Sequence, residues 1–444
     1  MKKLILSFVL FTLLIGTSFA ENIFAHRFFE IKLDVPVEVS NNLLGLDDIF
    51  KKDVVIDLAK IADNVQAKGA AIKGNIAPSV SIGIDIPRGL ILGVKVGAEA
   101  DVGIGLSKDL FEFLGKGNVN MDNEYVMRTE NTYADIFATV SVNGGWNTKK
   151  SRLEFAGTAF SSVVHFDASD TYARLYIDED NNAIEYGAHV GAGLYSNINV
   201  ANGFNDIQGI LNSITNNLGF DVSASYKRDL FRFLTVGLDA RVPLVPSKLS
   251  LCSAVSYDLV EGGKGKISIA DFLGSSDDSG DGSGNSGDVS EATEDEEPGE
   301  EASKFDFNNV INNPVVLETP YAIHRPMKVG INANFHPFGT LLSTKGYLGI
   351  GIRHPFASAI NAGTNDETDF YVDYSVAGRL SLWNIISVEI SHECMDEVYR
   401  NALSLALNIR LAEVDAGVSM QSTNFTKSFS GAGLGAFVTV CVGF

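Results

Sequence analysis

The chain has 444 residues, a formal net charge of −21 and a mean hydropathy of +0.11. So acidic a chain repels nucleic-acid phosphates and offers no basic patch to anionic lipid headgroups, which excludes nucleic acid as a partner. Its three cysteines, Cys252, Cys394 and Cys441, are too few and odd in number for a disulfide framework, and their spacing matches no metal site.

Residues 1–20 read as a secretory signal peptide. Lys2 and Lys3 precede an apolar run, and Ser18-Phe19-Ala20 places small residues before the expected cut. The run is shorter than the ~20 residues a spanning helix needs. Removing it leaves 424 residues (444 minus 20) and a charge of −23, since it carries two lysines and no acid.

Residues 21–77 are expected to form a small N-terminal periplasmic or plug segment. Within it, residues 46–65 place Leu46, Ile49, Phe50, Val54, Leu58, Ile61 and Val65 at roughly helical spacing, with Asp47 and Asp48 at the favourable end of the helix dipole. This amphipathic helix either packs on the periplasmic end of a barrel or enters its lumen as a plug.

From residue 78 to 444 the apolar period changes to two. Residues 90–106 alternate without a break: Leu90, Leu92, Val94 and Val96 begin one face, while Lys95, Glu99 and Asp101 lie on the other. A strand has a side-chain period of two, so one face is greasy and one charged. Charges cost a few kcal/mol each against lipid at mid-membrane, but they can line a wet lumen. At ~3.3 Å per residue the segment exceeds one tilted membrane strand, so it protrudes or bends at a glycine.

The same alternation recurs at 134–142, 184–194, 234–242, 327–335 and 403–411, and more weakly at nine other places. Closure of a single-chain bacterial barrel favours an even number, 14 or 16 strands. The polar faces supply the candidate lumen-lining residues: Lys95, Glu99, Asp101, Glu185, His189, Asp239, Arg241, Lys328, Asn332, Asn334, Asn408 and Arg410. Mixed signs of charge suit a hydrated lumen.

Two insertions interrupt the pattern. Residues 203–218 have helical spacing and suit an external loop. Residues 275–303 contain eleven Asp or Glu and no Lys or Arg, and are expected to be a disordered acidic surface loop. Inside it, Asp277, Ser279, Asp281, Ser283, Asn285 and Asp288 fall at the offsets of a calcium loop. The last position lacks the longer bidentate Glu and no helix flanks the tract, so specific calcium binding is not expected. Nothing resembles a nucleophile elbow, a zinc-protease helix or a phosphate-cradling loop. No enzyme activity and no cofactor are expected.

The last eleven residues alternate to the end: Leu434, Ala436, Val438, Val440, Val442 and Phe444 form one face. Here the chain resembles bacterial outer-membrane β-barrel proteins, whose final strand ends in an aromatic residue read by the barrel-assembly machinery. That resemblance implies an all-β transmembrane barrel, outer-membrane lipid and the assembly machinery as partners, and Phe444, Val442 and Val440 as the assembly signal. The general pattern is similar to barrels of spirochaetes. It is also similar to long-chain fatty-acid transporters, but their N-terminal Asn-Pro-Ala motif is absent from residues 21–77. The expected function is a channel or transporter for small solutes. The alternatives are a surface adhesin or structural barrel presenting the acidic loop, or a fatty-acid-type transporter of hydrophobic compounds.

Overall fold

The computed structural model describes residues 27–43, 58–65, 69–116, 124–129, 131–178, 183–198, 212, 215–258, 265–268, 314–353, 355–356, 369–409, 411–430 and 433–444. The signal peptide, the acidic loop with its calcium-like offsets, Arg410 and most of the 203–218 insertion lie outside them.

Antiparallel strands dominate, in chain order β1 (Phe29–Asn41), β2 (Ala70–Ile76), β3 (Ser79–Asp85), β4 (Leu90–Leu106), β5 (Tyr125–Arg128), β6 (Tyr133–Asn147), β7 (Ser151–Asp167), β8 (Tyr172–Asp178), β9 (Ala183–Ser196), β10 (Gly219–Phe231) and β11 (Leu234–Val245). The later strands are β12 (Ser247–Asp258), β13 (Gly265–Ser268), β14 (Val315–Ile323), β15 (Met327–Phe335), β16 (Leu342–Arg353), β17 (Asp369–Leu382), β18 (Ile386–Met395), β19 (Val398–Asn408), β20 (Ala412–Ser422) and β21 (Gly433–Gly443).

The wall runs β1, β2 with β3, β4, β6, β7, β10, β11, then β15 through β21, and β21 pairs with β1 to close the ring. Counting β2 and β3 as one, it has fourteen strands. Closure pairs every edge, which is what lets a sheet cross lipid.

β2 and β3 are one strand interrupted at Ala77 and Pro78. The register against β1 and β4 continues unbroken across the gap. Ala77 N–H donates to the Pro36 carbonyl at 3.4 Å, and Ala98 N–H donates to the Pro78 carbonyl at 3.0 Å. The reciprocal ladder bonds would need an N–H on Pro36 and on Pro78, which proline lacks. Two missing bonds therefore flank one point in the wall.

The wall is apolar on its outer face. Val142 is 60 % exposed, Ile390 65 % and Val418 62 %, values that no water-facing surface would carry in such density. The short turns join strands at one end, where Phe29 and Phe444 also lie, paired by two backbone bonds of 3.0 Å. Exposed aromatics ring this end: Trp146, Phe231, Phe233, Phe335, Trp383 and Phe444. Phe231 and Phe233 stack at 5.5 Å. Such girdles sit at the membrane interface, and short turns mark the periplasmic side of barrels.

The expectation for residues 21–77 needs correcting. β1 and most of β2 are wall strands, so the barrel begins at Phe29, not at residue 78. The helix is also at the other end. Of residues 46–65, the described helix is α1 (Leu58–Asn64), which comes after the long-loop end of β1. It packs on α2 (Lys108–Lys116), which comes after β4, around Ala62, Val65, Ala70 and Phe111. Lys116 bonds Asp63 at 2.7 Å, which raises the Lys116 pKa above its usual value. A wall strand carries the chain across the membrane before the helix starts, so the helix is neither on the periplasmic side nor a segment ahead of the barrel.

β4 is a single strand of 17 residues, paired with β6 without a register shift from Leu90 to Gly103. Above the long-loop end of β10, the wall changes partners. There β9 stands between β7 and β12, while β8 and β5 add to its outer side. β12 and β14 prolong the β11–β15 pair as one ribbon.

Candidate functional site

Because outward positions take the apolar residues, inward positions take what remains: glycine, serine, tyrosine and charge. Small inward residues let large ones lie flat. A Cβ on Gly351 would collide with the Tyr371 ring, and one on Gly103 would stand 2.6 Å from the Tyr133 ring. These two glycines admit the two tyrosines that border the main cavity.

The lumen is crossed by ion pairs between distant strands. Arg325, in the joint between β14 and β15, bonds Glu99 of β4 at 2.6 Å and Asp221 of β10 at 2.5 Å. Its guanidinium lies 5.8 Å from the Phe160 ring centre. β4 and β15 stand five places apart round the ring, so this contact is a chord across the barrel. Lys328 of β15 bonds Asp373 of β17 at 3.0 Å.

A second chord lies nearer the long-loop end. The tight β18–β19 turn places Asp396 (φ 49°) and Glu397 (φ 65°) in the left-handed region. Arg353 of β16 pairs with Asp396, while Lys73 of β2 donates to the Asp396 carbonyl at 3.0 Å. Arg353 also lies 5.9 Å from the Tyr133 ring centre and 5.6 Å from that of Tyr371. Beside it, Arg400 pairs with Glu38 and bonds Glu393 at 2.5 Å.

The β12–β14 ribbon leans inward above these pairs. Leu249, Tyr321 and Ile323 pack against Phe137 of β6 and Phe160 of β7, and the Ser162 N–H of β7 donates to the Ser247 hydroxyl of β12 at 2.9 Å. Tyr321 stacks on His165 at 5.0 Å and on Tyr195 at 4.4 Å, and His165 Nδ1 meets Asp135 at 2.7 Å.

Three cavities lie in the interior among the described residues. The first, 360 Å³, lies among Lys73, Asp101, Tyr133, Tyr371 and Asp396, and also borders Ala77. The second, 410 Å³, shares Arg241 and Lys328 with it. The third, 330 Å³, lies toward the short-turn end by Arg27 and Arg152 and shares Asn143 with the second.

The residues expected in the lumen from sequence fall at several places in the fold. Glu99, Asp101, Arg241 and Lys328 border the first cavity. Asp239 bonds Asn332. Asn334 has a buried side-chain oxygen on the same strand, Lys95 remains exposed, and Asn408 meets Glu413 at 3.1 Å near the short-turn end. Glu185 and His189 are different: β9 lies above the fourteen-strand ring, and His189 stacks on Tyr172 at 5.6 Å. The alternation of a rim strand looks the same in sequence as that of a wall strand.

Sequence reasoning misses Arg325, Lys73, Asp221, Tyr133, Arg353, Asp373 and Asp396. Asp221 and Asp373 sit at polar positions of strands whose alternation is weak, so a signal exists for them. Arg325 lies outside any strand and carries none. Among the described residues no group of three or more His, Cys, Asp or Glu is placed to hold a metal.

A closed antiparallel wall with an apolar outer belt, an aromatic girdle and a polar interior decides the setting. The protein is a barrel of the bacterial outer membrane. No family model and no curated protein matches the chain. Among solved structures, it is similar to the Pseudomonas putida toluene transporter TodX, with 7 % identity, 98 % of this chain and 93 % of that one covered, and a TM-score of 0.43. It is similar to a Pseudomonas aeruginosa FadL homologue (10 %, 96 % and 94 %, 0.45) and to the Ralstonia pickettii toluene transporter TbuX (8 %, 94 % and 89 %, 0.41).

Proposed function

We propose that the barrel is a gated transporter for small solutes with an apolar or aromatic body, and not an open water-filled porin. One observation carries this reading. The ion pairs of Arg325 with Glu99 and Asp221 cross the lumen, while the first cavity borders Ala77, where Pro36 and Pro78 withhold two ladder bonds. A solute in that cavity meets ion pairs along the axis and two missing ladder bonds in the wall at its side. The tyrosine and phenylalanine faces of the cavity suit an aromatic body.

The chain of three cavities favours a second reading, a channel for small polar solutes along the axis. Refolded protein in planar bilayers and in liposomes separates the two. The first reading expects no steady open-pore conductance and protein-dependent uptake of labelled toluene. A large, steady potassium chloride conductance without toluene uptake overturns it.

A further inference from the structure

We infer that the 360 Å³ cavity is a binding site for a small organic ammonium ion carried on an aromatic or apolar body. This deepens the transport reading and rests on it for the route by which the ligand arrives.

The cavity's carboxylates are nearly all committed. Glu38 pairs with Arg400, Glu99 with Arg325, Asp135 with His165 and Asp396 with Arg353. Asp101 is the exception: it borders the cavity and makes no hydrogen bond or close ion pair among the described residues. It also stands directly opposite Asp135 in the β4–β6 register, and like charges so placed repel. A cation beside Asp101 relieves that repulsion.

Two further groups point the same way. The Tyr133 hydroxyl is buried without a hydrogen-bond partner, and so is Nδ1 of His324. Both residues line the cavity, and they are only 8 % and 6 % exposed. Buried polar atoms in native structures are normally bonded, so two unbonded atoms on residues that line one cavity mark a place for a ligand. A carboxylate, a phenol oxygen and an imidazole nitrogen are three acceptors, and an alkylammonium has three N–H donors.

The cavity's other chemistry selects the cation. Of its cationic side chains, Lys328, Arg353 and Arg400 are paired with carboxylates, Arg241 donates to the Pro326 carbonyl at 2.9 Å, and none bonds Asp101 among the described residues. No group of three His, Cys, Asp or Glu among the described residues suits a metal ion. Tyr133, Phe137 and Tyr371 present aromatic surface for the remainder of the ligand and for the cation itself.

The test is calorimetric titration of the refolded full-length barrel in detergent with benzylamine, benzyl alcohol and benzoate at neutral pH. Benzylamine is expected to bind about tenfold or more tighter than benzyl alcohol, a step of ~1.4 kcal/mol, and benzoate not at all. Asp101→Asn should abolish the preference for the amine, and Tyr133→Phe should weaken it several-fold. Equal binding of the amine and the alcohol, or an unchanged preference in folded Asp101→Asn, overturns the inference. Should Asp101→Asn fail to fold, the wild-type ranking of the three ligands still decides. Toluene uptake without amine preference would sink this inference alone, whereas loss of toluene uptake would sink the transport reading.

Discussion

Arg325 and Glu99 lie 226 residues apart in the chain and meet at 2.6 Å across the barrel. The contact joins two opposite stretches of wall that share no ladder hydrogen bond, and Asp221 completes it from a third strand. Arg325 is 5 % exposed and Asp221 1 %. At this depth the desolvation cost offsets much of the attraction, so the three charges add little net stability as a set.

Removing Arg325 leaves two carboxylates facing each other in a buried site. Arg325→Met is expected to destabilise the folded barrel by roughly 3–5 kcal/mol, the usual cost of an orphaned buried charge. Urea unfolding in lipid vesicles measures it. The same variant should show raised channel activity in planar bilayers, because the chord no longer spans the lumen. An unfolding midpoint equal to wild type would mean that the chord is not formed in the membrane.

Sidedness is testable one residue apart. Val96 is 52 % exposed on the outer face and Lys95 faces the lumen. Val96→Arg should cost ~2–4 kcal/mol if near the bilayer midplane, whereas Lys95→Met should leave insertion unchanged. Heat-modifiable electrophoretic mobility reports both. Gly97 is no neutral control, since a Cβ there would stand 2.9 Å from the Pro78 carbonyl.

Phe444 holds the ring closed at the short-turn end through its two bonds to Phe29 and its ring contact at 5.8 Å. As an assembly signal, its loss should spare export and reduce folded protein in the outer membrane. Fractionation of cells expressing Phe444→Ser checks this, and wild-type levels would refute it.

The β18–β19 turn carries backbone strain that glycine would relieve. Glu397→Gly should stabilise the barrel by about 1 kcal/mol, because the left-handed conformation costs glycine almost nothing. The carboxylate lost is 45 % exposed and 3.8 Å from Lys73, a pair of small value. A lower urea midpoint than wild type would contradict the expectation.

Much of the wall is legible in the sequence because lipid imposes a strict rule on each strand: alternate, or suffer desolvation. Residues 90–106 and 403–408 obey it and are strands in the fold. β1 obeys it too, with Ile31, Leu33, Val37 and Val39 outward, yet Glu30, Lys32, Asp34 and Pro36 make it look like a loop. The strand number is legible only as a choice between 14 and 16, because rim strands such as β9 carry the same alternation. The lumen chords are not legible. Which charges meet depends on how the ring closes, and a period of two says which face a residue occupies but not its neighbour across the lumen.

The prolongation of β11 and β15 into the β12–β14 ribbon has a mechanical consequence. Arg325 lies in the joint where β14 passes into β15, so the ribbon and the chord share one pivot. The ribbon is a lever whose long arm stands at the cell's outer face and whose short arm is a buried guanidinium. A force or a bound molecule that tilts the ribbon outward would pull Arg325 from Glu99 and Asp221 without touching either. On the gated reading, the latch would be worked from outside the cell.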